Sequence, residues 1–261
     1  MSCLLKGHRL GSCGLCFISK GKEFFDREIR ERREKGICQL RHADLDCHGA
    51  ATMDNLTRFK EHFSFLVKTE EDQSILDDLS KTVQSYEKDD SGAVRCELSI
   101  VDLDDEMAEL ICPPPFTGSV AADVPAGFAA LAKSHNGIYY EDLGGGVIGF
   151  LGLSDDGTIE SGNWEWEAVE EGDNEEYLEQ LEEADIAASS IVCPLQFGQN
   201  WILYDPLKKA TTGEPALLFL SHGDCELVPI PESDGLTLSQ VLLRILAQRI
   251  LDREYFEEVY S

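Results

Sequence analysis

Apolar positions recur at three- and four-residue steps from Leu56 to Tyr86: Phe59, Phe63 and Leu66, then Ile75, Leu76, Leu79 and Val83. That period belongs to amphipathic helix, and a polar stretch at Thr69 to Asp72 divides it, so the pattern predicts two helices. Glu97 to Asp102 reads as a strand. Cys112-Pro113-Pro114-Pro115 can neither continue a helix nor donate to a sheet ladder, and reads as a rigid lead-in to the next unit. There Asp123 is placed as an N-cap and Pro125 suits a first helical turn. Val124, Phe128 and Leu131 share one face, and Asn136-Gly137 supplies a left-handed stop.

Downstream the period shortens. Ile138 to Tyr140 and Val147 to Leu153 have strand character on either side of Gly144-Gly145-Gly146. A glutamate-rich helix is predicted over 174–187. Strands are predicted at Ile191 to Leu195, Trp201 to Tyr204 and Ala216 to Leu220, the last turning through His222-Gly223-Asp224 into Cys225 to Ile230. Thr237 with Gln240 forms a capping box, and Leu238, Val241, Leu242, Ile245, Leu246 and Ile250 give the closing helix a broad apolar face. Helix, strands, hairpin and helix in that order predict an α+β fold.

Charge changes the picture at one boundary. Residues 1–52 hold ten Lys/Arg and seven Asp/Glu, a net of +3, while the remainder carries 12 basic and 43 acidic residues, a net of −31. Five of the nine cysteines also precede Thr52. The segment Glu23 to Lys35 alternates acid and base as a short solvated helix does. Such a jump in composition marks residues 1–52 as an appendage, and Met53 is a candidate true start. Cys13-Gly14-Leu15-Cys16 has metal-knuckle spacing, with Cys38, Cys47 and His48 as possible completing ligands, but a second Cys-x-x-Cys is missing and no metal is assigned. The expected organisation is therefore an extension over 1–52, a helical segment over 53–111, an α+β domain over 112–250 and a tail over 251–261.

A net charge of −28 argues against a non-specific nucleic-acid binder, which needs Lys and Arg to displace phosphate counterions, and it favours a basic protein partner. No apolar run reaches the ~18 residues of a membrane span, and the odd, irregular cysteines suit a reducing cytoplasm. Between Lys133 and Lys208 there is no Lys or Arg, yet 17 acids. Within that interval Asp155, Asp156, Glu160, Glu165, Glu167, Glu170, Glu171 and Asp173 surround Trp164 and Trp166. In a strand the two indoles point to one side and the glutamates to the other. Either the indoles anchor a basic partner steered by the acids, or they face the sheet core and the acids are merely solvated. The first alternative makes these ten residues the candidate binding site.

Other chemistry is weaker. Gly144 to Gly149 lacks the following helix that a phosphate loop needs. His135, His222, Cys193 and Cys225 could be assembled into a Cys–His pair, but a turn-capping histidine and buried structural cysteines are the plainer reading. Asp155-Asp156-Gly157 lacks calcium-loop spacing and reads as a hairpin turn. No catalytic residue and no cofactor is assigned.

Several segments, in order, carry a resemblance: Val124-Pro125 opening a helix closed by His135-Asn136-Gly137; Gly-rich strands including Gly149; Pro194 to Trp201, then Tyr204-Asp205-Pro206; Leu218 to Asp224 with His222; and the helix from Leu238. Together they resemble the SUKH superfamily, which includes a yeast cell-wall-synthesis regulator and many bacterial immunity proteins. A long acidic insertion between Leu153 and Ile191, and Leu238 where the family carries phenylalanine, depart from its pattern. The resemblance implies one mixed or antiparallel sheet flanked by helices, structural roles for Pro125, Asn136, Gly137, Gly149, Pro194, Asp205 and His222, and no catalysis. It implies a non-enzymatic immunity protein neutralising a basic, nuclease-type toxin, or alternatively a regulatory interaction scaffold.

Overall fold

The computed structural model describes residues 51–101, 107–142, 147–159, 175–198, 200–222, 225–257 and 259. Their strands are β1 (Val83–Lys88), β2 (Val94–Ser99), β3 (Met107–Cys112), β4 (Ile138–Asp142), β5 (Val147–Phe150), β6 (Leu195–Phe197), β7 (Asn200–Lys209), β8 (Pro215–Leu220) and β9 (Leu227–Pro229). The helices are α1 (Ala51–His62), α2 (Glu70–Ser80), α3 (Ala126–Ser134), α4 (Glu175–Glu183) and α5 (Leu238–Leu251). The nine strands lie side by side in chain order, each antiparallel to the next, as one open sheet. The fold is α+β.

One sheet face carries the main core. Alternate residues such as Cys96 and Leu98 on β2, Leu110 on β3, Tyr140 on β4 and Phe219 on β8 pack with Phe59, Leu76, Phe128, Leu242 and Ile245 of the helices. The α2 N-terminus carries a capping box in which the Asp72 backbone N–H donates to Thr69 Oγ1 at 3.2 Å and the Thr69 N–H donates to Asp72 Oδ2 at 2.8 Å. Asp72 also ties α2 to α5, accepting from Arg244 Nη1 at 2.6 Å and Gln240 Nε2 at 2.8 Å. At the α5 start Gln240 Oε1 accepts from the Thr237 N–H at 3.0 Å, the expected box.

Five expectations are corrected. Val83 and Tyr86 belong to β1 and not to the helix, which ends at Ser80. A bulge between Val83 and Ser85 puts both on the inner face three residues apart, and so imitates a helical period. Residues 53–111 hold β1 to β3 as well as two helices, and β3 pairs directly with β4, so the sheet runs unbroken across Cys112. Asp123 does not cap α3; the helix starts after Pro125, and its Gly127 N–H is taken by Glu214 Oε1 at 3.1 Å. The strand placed at Ile191 to Leu195 instead runs from Leu195 to Phe197, because Pro194 has no N–H to give a ladder. In the expected tail, Phe256 and Val259 are buried in the core.

Of the residues singled out by the family likeness, Asn136 and Gly137 lie in the link between α3 and β4, while Gly149 and Asp205 lie within β5 and β7. Asn136 acts as a surrogate strand: its Nδ2 donates to the Leu153 carbonyl at 2.8 Å and its Oδ1 accepts the Leu153 N–H at 2.7 Å. This close approach requires Gly152, whose φ is +86° and where a Cβ would lie 2.6 Å from Asn136 Oδ1. Gly137 has φ +137°. Asp205 Oδ1 accepts from Leu207 N at 2.8 Å and Lys208 N at 3.1 Å, where the β7–β8 register shifts around Pro206. Gly149 pairs with Gln196 on the face away from the main core.

Candidate partner-binding face

The second sheet face is built by the residues that alternate with the core positions. In register, Ser85 stands opposite Glu97, Glu97 opposite Glu109, Glu109 opposite Glu141, and Glu141 opposite Val147. Three glutamates thus occupy one row across three adjacent strands, with neighbouring strands roughly 4.8 Å apart. Glu97 and Glu141 are exposed and Glu109 is half-buried. Like charges directly opposite one another destabilise a sheet. Compensation comes from Arg95, which forms an ion pair with Glu109, and from Ser85, whose hydroxyl donates to Glu97 Oε2 at 2.9 Å.

The neighbouring row reads Glu87, Arg95, Ile111, Tyr139, Gly149, Gln196, Trp201 and Leu220. It establishes that Trp201 points to the same side as the glutamates. There a second apolar cluster forms: Tyr177 and Leu181 of α4 and Ile186 pack on Trp201, Leu203, Leu218 and Leu220. Docking of that stripe leaves Glu176, Glu179, Glu182 and Glu183 of α4 exposed. The carboxylates of α4 and the glutamate row therefore stand on one side of the sheet, with Ile111, Tyr139 and Val147 half-buried beside the row.

Of the residues expected to bind a partner, Asp155 and Asp156 are described, and both are exposed in a turn closed by the Leu153–Ile159 bridge. Asp156 Oδ1 accepts from Ser154 Oγ at 2.6 Å and Thr158 Oγ1 at 2.7 Å, and these bonds hold its carboxyl down at about 2. Gly157 ties the turn to the loop before α3, and among the described residues no strand pairing joins the turn to the glutamate row. Glu160, Trp164, Glu165, Trp166, Glu167, Glu170, Glu171 and Asp173 lie outside the described residues, as do the Glu23–Lys35 helix, the N-terminal cysteines and Gly144 to Gly146.

Two acids of the Lys/Arg-free interval, neither among the ten expected binding residues, are structural and add nothing to an acidic surface. Asp142, without exposed side-chain surface, accepts from Arg249 Nε at 2.8 Å and from the Tyr140 hydroxyl at 3.1 Å. Asp205 is buried at the β7 bulge. Conversely, Glu97 and Glu109 lie outside that interval in sequence and join Glu141 only through strand register.

The histidines bond to groups other than thiols. His222 is exposed, its backbone N–H donates to Asn200 Oδ1 at 2.9 Å, and its Nδ1 lies 2.9 Å from the Tyr177 hydroxyl. Its ring stands edge-on to Trp201 at 6.1 Å. His135 is buried against His62 and the Pro113 carbonyl. Cys193 Sγ donates to the Leu195 carbonyl at 3.2 Å. Among the described residues no cluster of three or more His, Cys, Asp or Glu is arranged to hold a metal ion, and no helix is long and apolar enough to cross a membrane. No protein-family model matches the chain, and neither the curated proteins nor the solved structures yield a match.

Proposed function

We propose that the chain is a non-enzymatic binding module that receives a basic protein on the acidic side of its sheet. The row Glu97–Glu109–Glu141 carries this reading. Three aligned carboxylates oppose the stability of the free sheet, and lysines or arginines of a ligand relieve that repulsion on binding. The α4 carboxylates on the same side extend the negative field that steers such a ligand. Half-buried Ile111, Tyr139 and Val147 supply apolar area beside the row. The resemblance to SUKH proteins narrows the ligand to a toxin domain of nuclease type, whose phosphate-binding surface is basic.

Rescue of cells expressing a candidate basic toxin domain tests the reading. Co-expression of this chain restores growth, and the triple change Glu97→Gln, Glu109→Gln, Glu141→Gln removes that protection while the protein still folds. Full protection by the triple variant, or complex formation insensitive to salt between about 50 and about 500 mM, overturns it.

A further inference from the structure

A short polar contact that the proposed binding reading does not use lies between α1 and the end of α3. His62, the last residue of α1, places its Nε2 2.6 Å from Nε2 of His135, the residue that closes α3. His135 Nδ1 is 2.6 Å from the Pro113 carbonyl oxygen. A carbonyl only accepts, so Nδ1 of His135 carries the proton, and its Nε2 in the neutral ring is left as an acceptor. The bond therefore requires His62 to donate through Nε2–H, with its own Nδ1 unprotonated.

The surroundings oppose added charge. The pair is packed among Phe63, Phe65 and Tyr86 rings at centroid distances of 5.1 to 6.3 Å. From β1, Lys88 is the charged group acting on both imidazoles, and from α1 the Arg58 guanidinium lies 4.8 Å over the Tyr86 ring. The Cys96 and Cys112 thiols of β2 and β3 flank Tyr86 and are held protonated by burial. Among the described groups acting on the two rings there is no carboxylate to neutralise an imidazolium.

We infer that the His62–His135 contact is an acid-operated latch, which fastens the end of α1 to the body of the protein and opens when the pair takes up protons. A first proton, on His62 Nδ1, keeps the N–H···N bond but places a cation among aromatic rings beside Lys88. A second, on His135 Nε2, sets two N–H donors against each other, and no contact survives. Burial first, then His135 and Lys88, bring His62 from 6.5 to about 4. A folded-state value below the unfolded one means that the latch is closed above about 6.5 and weakens as pH falls toward about 4. Between neutral pH and about 4 the docking equilibrium of α1 shifts roughly 100-fold toward the open form. Opening uncovers the β1 edge strand, whose Gln84 carbonyl is now bonded by Asn55 of α1 at 3.2 Å.

Amide exchange of the full chain, corrected for intrinsic rates and followed from about pH 7 to about pH 4, tests the latch. The result expected is loss of protection in α1 by roughly 100-fold while β7 and β8 stay protected. His62→Gln keeps a donor without a titrating ring, and in that variant α1 stays protected through the same range. Lys88→Ala, an exposed change, raises the imidazole values toward 6.5, narrows the gap to the unfolded state and blunts the loss. Unchanged α1 protection in the native chain, loss simultaneous with β7 and β8, or the native acid response in both variants overturns the inference.

Discussion

Asp72 has no exposed surface, and its two oxygens accept bonds from Lys68 N at 2.9 Å, Thr69 N at 2.8 Å, Gln240 Nε2 at 2.8 Å and Arg244 Nη1 at 2.6 Å. Burial alone pushes its carboxyl upward, yet the bonds from Arg244, Lys68, Thr69 and Gln240 together bring it below its ordinary 3.8. The sign follows: Asp72 stabilises the protein above 3.8, and that contribution fades as pH falls through its lower folded value. Acid loosening at α2 and α5 therefore begins below the range in which the histidine latch opens. Asp72→Ala leaves Arg244 buried beside an empty site and is expected to cost about 3–5 kcal/mol in urea unfolding. Tyr204 is the opposite case, for its hydroxyl is buried without a hydrogen-bond partner among the described residues. Tyr204→Phe removes a polar group that gained nothing on folding, and urea denaturation should show stability unchanged or raised by up to about 1 kcal/mol.

At the scale of elements, the glutamate row makes its own prediction. Glu141→Gln removes one like-charge contact with Glu109 and should stabilise the free protein by about 0.2–1 kcal/mol, more at low salt than at high. A drop in the unfolding midpoint at low salt contradicts the repulsion on which the binding proposal stands. Legibility in the sequence follows the same physics. Helix α5 was readable because local chemistry settles it, with Thr237, Gln240 and an apolar face all within the element. Strand β1 was misread because its bulge hides the alternation of Val83 and Tyr86. Strand β3 escaped notice, as Glu109 interrupts a short apolar segment whose outward face shows only in pairing. The acidic interval was visible along the chain, but the row itself depends on register, which sets Glu97 and Glu109 beside a glutamate far away in sequence. Asp142 and Asp205 illustrate the converse: nothing in their spacing announces that Arg249 and two backbone N–H groups have already claimed them.

Across the whole molecule, charge is unevenly arranged between the two sheet faces. The buried side spends its ions in pairs, Arg244 with Asp72 and Arg249 with Asp142. Among the described residues, the other side gathers Glu97, Glu109, Glu141 and the α4 glutamates, with Arg95 ion-paired to Glu109. A one-signed face of this kind accelerates encounter with a basic ligand, whereas short-range apolar contacts set how long the complex lasts. The two contributions separate in kinetics. Raising salt from about 50 to about 500 mM contracts the screening length from roughly 14 to roughly 4 Å, so association should slow by at least tenfold while dissociation changes little. The Glu97→Gln, Glu109→Gln, Glu141→Gln variant should associate more slowly at low salt and lose most of that salt dependence. If stopped-flow binding shows instead the native salt slope in the variant, the steering field originates elsewhere, and the row is only a surface that the sheet tolerates.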